Sequence, residues 1–169
     1  MGYWLRRVGL MTTTSEPGSR IALFKTAPDV YKTMAAFQAA AADGLDPVVA
    51  ELIKIRASQI NKCAYCIDMH LTEAREQGES ALRLDLLSAW QEVDGVYSER
   101  ERAALALTES ITLLTQDYVP DEVYERAAKH FDEAELARLI AQIVAINAWN
   151  RFQVTTRAVP AGVAKLKDA

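Results

Sequence analysis

From Pro28 onward the apolar positions recur at three- and four-residue intervals, the spacing of one helix face. Val30, Met34, Phe37 and Ala41 define a first helix that Asp43-Gly44 stops. A second begins at Pro47 and carries Val48, Val49, Leu52, Ile53, Ile55 and Ile60. A third runs from Ala64 to Gln77, with Gly78 as its stop. Ser80 starts a short helix containing Leu82, Leu86 and Leu87. Ser98-x-x-Glu101 has the form of a capping box and opens a long segment with Ala104, Leu107, Ile111 and Leu114. The charges of residues 98–102 read as a solvated helix start. Pro120 begins another helix, running to His130-Phe131, where His130 would face the negative end of the helix dipole. Asp132-x-x-Glu135 opens the last helix, with Leu136, Leu139, Ile140, Ile143, Val144 and Ile146. That helix is apolar around most of its circumference, which places it at the centre of the bundle or against a partner subunit. No stretch alternates apolar and polar residues as a half-buried strand would. The pattern predicts an all-α fold, a compact bundle of six to seven helices with short connections.

Composition narrows the class. The chain has 169 residues, half of them hydrophobic and a quarter charged, with only seven Gly and five Pro. Disorder, a collagen-like fibre and a turn-rich β-sandwich do not fit that balance. The net charge of −4 argues against nucleic-acid partners, because phosphate binding needs concentrated Lys and Arg. No apolar run approaches the roughly 18 residues that span a bilayer, so no membrane partner is expected. Residues 1–20 read as a flexible N-terminal arm or extension and residues 21–169 as one helical domain. No secretory signal is evident, and the expected compartment is a reducing cytoplasm. There the two cysteines, Cys63 and Cys66, suggest redox or metal chemistry rather than a cross-link.

The chemistry concentrates between Glu51 and His70. Cys63, Cys66 and His70 are spaced by three and four, so they share one face if the helix begins near Cys63. A helix N-terminus favours a thiolate and a neighbouring imidazole can accept the thiol proton. Lowering a thiol pKa from about 8.5 to about 6.5 corresponds to about 2.7 kcal/mol, enough to make the thiolate the majority form at neutral pH. Glu51, on the preceding helix, would lie at the boundary of core and solvent, from where it could orient His70 or pass a proton onward. Three readings fit these residues: two small core side chains, a zinc site using Cys63, Cys66, His70 and Glu51, or a reactive thiol pair. Trp149, Asn150 and Arg151 could line the site or a subunit contact.

The pattern Glu51 with Cys63-x-x-Cys66-x-x-x-His70 resembles the AhpD-like alkylhydroperoxidases of the carboxymuconolactone decarboxylase superfamily. Its surroundings are similar too: Glu51-Leu-Ile-Lys-Ile-Arg56-Ala-Ser58-Gln59-Ile-Asn61 before it, and Ala74-Arg75-Glu76-Gln77-Gly78 after it. Asn147-Ala-Trp149-Asn150-Arg151 near the C-terminus also resembles this branch. The resemblance covers roughly residues 20–157 and implies the AhpD-like helical fold, assembled as a trimer or hexamer. It implies thiol peroxidase activity on an organic hydroperoxide, without metal or other cofactor. Cys66 would attack the peroxide, Cys63 would resolve the sulfenic acid as a disulfide, and His70 with Glu51 would relay the proton. An unidentified thiol or dithiol reductant would close the cycle. The family's peroxidases carry histidine immediately before the second cysteine, where this chain has Tyr65, a hydrogen-bond donor but a poor base near pH 7. Superfamily decarboxylases lack the cysteine pair, so that activity fits this chain poorly. Two alternatives use the same residues: a protein-disulfide oxidoreductase, and a non-catalytic zinc-binding or interaction module.

Overall fold

The structure is a computed structural model that describes residues 19–167. The expected arm, residues 1–20, lies outside the described residues except for its last two. Of these, Arg20 donates its backbone N–H to the Thr156 carbonyl at 2.8 Å. Among the described residues the secondary structure is helical throughout, as the spacing predicts: α1 (Leu23–Thr26), α2 (Pro28–Ala42), α3 (Pro47–Ile60), α4 (Ala64–Glu76) and α5 (Ala81–Leu86) come first. A 3-10 turn (Leu87–Glu92) then leads to α6 (Glu99–Thr112), α7 (Leu114–Asp117), α8 (Asp121–Ala128), α9 (Glu133–Thr156) and α10 (Ala161–Lys167).

Helix boundaries follow local chemistry. Asp46 caps α3 by accepting the Val48 and Val49 N–H groups, and Pro47 occupies the first turn, where no intrahelical donor is needed. Full capping boxes open α6, through Ser98 and Glu101, and α9, through Asp132 and Glu135. Gly78, with φ of +91°, turns the chain after α4. The long segment after Ser98 does not run through to Leu114. It ends at Thr112 with Leu113 as its C-cap, and Leu114 lies half exposed on the separate turn α7. The charges at residues 98–102 are not simply solvated. Arg83 pairs with Glu101 at 2.6 Å, Arg100 with Glu135 at 2.7 Å, and Arg126 with Glu99 at 3.0 Å. His130 lies beyond the end of α8, and its carbonyl accepts from Arg100.

Helix α3 sits at the middle, packed by α4, α6 and α9. Val49 and Ile53 join Leu107, Leu139 and Ile143 in one core cluster, while Leu52 and Ile55 join Leu87, Trp90 and Leu105 in another. Each fully buried Leu or Ile contributes about 1.5–3 kcal/mol relative to exposure. Helix α9 is central, in contact with α2, α3, α4, α6 and α8, although Val144 and Val154 reach the surface. After Arg157 the chain turns back, and α10 lies on α4, where the Gly162 N–H donates to Asp68 Oδ2 at 3.0 Å. A Cβ on Gly162 would meet Asp68 Oδ1 at 2.9 Å, so a larger residue there would have to displace the Asp68 carboxylate from this bond.

Candidate active site

Cys63 is the N-cap of α4, extended in backbone, and its Sγ accepts the Cys66 N–H at 3.3 Å. This is the capping role usually filled by a Ser or Asp oxygen, here placed on sulfur at the positive end of the helix. Cys63 and Cys66 are bonded as a disulfide, with Cα atoms 5.4 Å apart, and both are buried. The turn before them is fixed from behind. Ser58 accepts the Cys63 N–H on its carbonyl at 2.9 Å, and its Oγ accepts from Asn150 Nδ2 at 3.0 Å. Asn61 donates to the Oδ1 atoms of both Asn147 and Asn150 at 2.9 Å. Asn150 is thus a buried brace for the cysteine turn, while Arg151 points outward and donates to Asn147. Trp149 packs edge-on against Tyr31.

One turn beyond Cys66, His70 is buried with its Nδ1 3.1 Å from Glu51 Oε2 and 3.2 Å from Glu73 Oε2. Two carboxylates facing one ring nitrogen place the hydrogen on Nδ1. The opposite nitrogen, Nε2, has no hydrogen bond among the described residues. Glu51 is not at the core–solvent boundary but 7% exposed, because α3 is covered on several sides. Its other oxygen accepts from Lys54, itself buried, at 2.5 Å. Burial pushes the Glu51 carboxyl up, but the His70 hydrogen bond and the Lys54 charge outweigh it and hold the pKa down at about 2. Glu51 is therefore a carboxylate at neutral pH.

Glu73 and Lys54 join the site without having been singled out in the sequence. The spacing is compatible with these contacts, since Lys54 lies three residues after Glu51 and Glu73 three after His70, but it does not show that either side chain is buried. Tyr65 is half-buried, and burial, followed by the charges of Tyr31, Glu73 and Asp68, pushes its hydroxyl up to about 12. It can donate a hydrogen bond but does not serve as a base.

Glu51, His70 and Glu73 bring ligand-type atoms within 4.8 Å of one another, a set that could hold a divalent metal. Lys54 on one Glu51 oxygen and the His70 N–H between the carboxylates fill the directions a metal would use. The zinc set of Cys63, Cys66, His70 and Glu51 is not assembled, since the two sulfurs are bonded to each other.

A groove of about 440 Å³ lies between the start of α4 and the segment joining α9 to α10, and Cys63, Tyr65 and Gln153 line it while Cys66 does not. Lys62 and Arg157 line it as well, both exposed and both left-handed, with φ of 55° and 54°. Such a backbone costs a non-glycine residue about 1 kcal/mol.

Comparison with known proteins bears on the family and the fold. Residues 28–110 match the carboxymuconolactone decarboxylase family. The uncharacterized protein YdfG of Bacillus subtilis is 43% identical over 80% of this chain and 92% of its own length. A solved structure from Agrobacterium tumefaciens, a protein of unknown function named as an AhpD candidate in antioxidant defence, is 36% identical. The match covers 84% of this chain and 97% of that one, with a TM-score of 0.81. An AhpD core from a peroxidase-related protein of Ralstonia eutropha shares the fold at 22% identity, over 81% of this chain and 73% of its own, with a TM-score of 0.70. With the fold, the Cys63-x-x-Cys66 pair and these relatives together, the chain belongs to the carboxymuconolactone decarboxylase family, in its AhpD-like branch.

Proposed function

We propose that the protein is a thiol peroxidase that reduces organic hydroperoxides through Cys63 and Cys66, with no metal or flavin. The observation that carries this reading is the buried His70, fixed through Nδ1 by Glu51 and Glu73 one helical turn from Cys66. In the reduced protein His70 Nε2 takes the Cys66 proton, and the two carboxylates compensate the charge the ring acquires. The Cys66 thiolate attacks the distal peroxide oxygen, the O–O bond breaks, and the departing alkoxide leaves as alcohol with the proton from His70. Cys63 then displaces water from the Cys66 sulfenic acid, forming the disulfide. Glu51, with a pKa of about 2, does not itself take the proton; it orients the imidazole. Lys54 and Ser58 are positioning residues behind it.

The pair works in the interior of a molecule in which no described helix is long and apolar enough to cross a membrane. Val30 and Phe37, seven residues apart on α2, leave an exposed apolar face, and with Val144 of α9 they offer surface for a trimer or hexamer. A cytoplasmic setting with a reducing thiol pool fits the cycle. The second reading, a protein-disulfide oxidoreductase, draws on the groove that lies beside Cys63. It would be selected by rapid reduction of a protein disulfide with slow hydroperoxide turnover.

Single-turnover kinetics of the reduced protein with an organic hydroperoxide test the order of attack. Cys63→Ser is expected to consume one equivalent and stop as a sulfenic acid trapped by dimedone, and Cys66→Ser to consume none. The reverse pattern would assign the attack to Cys63, and no consumption by the reduced wild type would overturn the peroxidase reading.

A further inference from the structure

Two buried amides stand in the seam between α2 and α9 with inner atoms that nothing in the chain satisfies. Gln142 is fully buried, and neither its Nε2 nor its Oε1 has a hydrogen-bond partner among the described residues. The same holds for Oε1 of Gln38, also buried. The helix register brings the two together. Tyr31 of α2 meets Trp149 of α9 edge to face, with ring centroids 5.2 Å apart. Further along the seam, Arg138 of α9 donates to the Ala40 carbonyl of α2 at 2.7 Å, so the two helices run antiparallel. Gln38 lies seven residues after Tyr31, and Gln142 seven before Trp149. Each therefore stands two turns, about 10.5 Å, from the ring contact and on the face that makes it. Small side chains flank the pair, Ala35 and Ala41 on α2 and Ala145 on α9, all buried. Native interiors leave few amide atoms unpaired, and three in one apolar seam call for a ligand.

We infer that Gln38 and Gln142 hold one water molecule between α2 and α9. The three atoms match what a single water offers. Two acceptors, Gln38 Oε1 and Gln142 Oε1, take its two hydrogens, and Gln142 Nε2 donates to its oxygen. Three hydrogen bonds is the usual number for a water inside a protein. Turning the Gln38 amide over replaces one acceptor by a donor and leaves a set that a water, with two hydrogens and two lone pairs, also completes. A cation would be repelled by the amide N–H and an anion by the two oxygens, so the set selects a small neutral molecule that both donates and accepts. The site is separate from the cysteine pair and does not rest on the peroxidase reading. It lies on the helix that braces the cysteine turn, five residues before Asn147 and eight before Asn150.

A crystal structure of the full-length wild-type protein, at a resolution that shows ordered water, tests the site directly. A density peak within hydrogen-bond distance of Gln142 Nε2, Gln142 Oε1 and Gln38 Oε1 is expected. A direct bond between the two amides, or a seam with no peak between them, would overturn the inference. Urea unfolding of the oxidised Gln38→Leu, Gln142→Leu and double variants gives the energetic counterpart. Each single replacement breaks the bridge and strands the opposite amide, so each should lower the folding equilibrium constant about tenfold. The double variant strands neither amide and should be no less stable than the weaker of the two single variants. Losses that simply add in the double variant would show that the two amides share no bridge, and would contradict the inference as well. Should a single variant fail to fold, the wild-type density decides alone.

Discussion

Two carboxylates and one ammonium surround the Nδ1 edge of His70, and their balance governs how the site responds to acid. The Glu51 carboxyl is held at about 2 in the folded chain against an ordinary 4.5. A depressed carboxyl contributes stability that is fully present above its unfolded pKa and is lost as pH falls through its folded pKa. The contribution of Glu51 is therefore intact at pH 7 and fades between about 4.5 and 2. The shift corresponds to roughly 3 kcal/mol. Glu51→Gln removes it and leaves Lys54 buried beside a neutral amide, so urea unfolding at pH 7 should show a loss of about 3 kcal/mol. The gap between variant and wild type should narrow as the pH is lowered below 4.5. A gap independent of pH would mean that Glu51 acts through packing rather than charge. At this scale the Cys63, Cys66 and His70 spacing was legible because three and four residues map directly onto one helix face. Lys54 and Glu73 were not, because an isolated Lys or Glu in a helical pattern ordinarily marks a solvated face. Their burial depends on neighbours that one helix does not reveal.

Among the helices, the starts were the most readable features, because capping is local chemistry written in four consecutive residues. Ser98-x-x-Glu101 and Asp132-x-x-Glu135 both form the reciprocal bonds their spacing implies. What the local pattern did not carry is that the two starts are tied together: Arg100 of the first box bonds to Glu135 of the second and lies 3.9 Å over the Phe131 ring. Replacing Ser98 by Ala removes the acceptor of the Glu101 N–H, and denaturant unfolding should report a loss of about 1 kcal/mol with peroxide turnover unchanged. No change in stability would show that the box is redundant with the Arg100 and Arg83 pairs. Single-turn elements such as α1 and α7, the 3-10 turn with its kink at Ala89, and α10 were missed. They are too short to show a period, and tertiary contacts rather than intrinsic propensity hold them. The α9–α10 connection forms one wall of the groove beside Cys63.

Across the whole molecule, a central α3 delivers Glu51 and Lys54 to a second helix that delivers Cys66, His70 and Glu73, and α9 braces the turn between them through Asn150. The all-α class and the likeness to an AhpD-like chain could be read from the periodicity and the Glu51–His70 pattern. The packing that buries an ionised cluster around one imidazole could not, since it arises where three helices meet. The same arrangement gives the pair two distinct sides, an inner one at His70 and an outer one at the groove. The central claim is that these two thiols exchange electrons with an organic hydroperoxide. Its most direct test is a free-thiol count on metal-stripped, reduced protein before and after one equivalent of an organic hydroperoxide. The count is expected to fall from two, the full cysteine content of the chain, to none, without intermolecular cross-linking. Two thiols remaining after exposure would contradict the peroxidase reading.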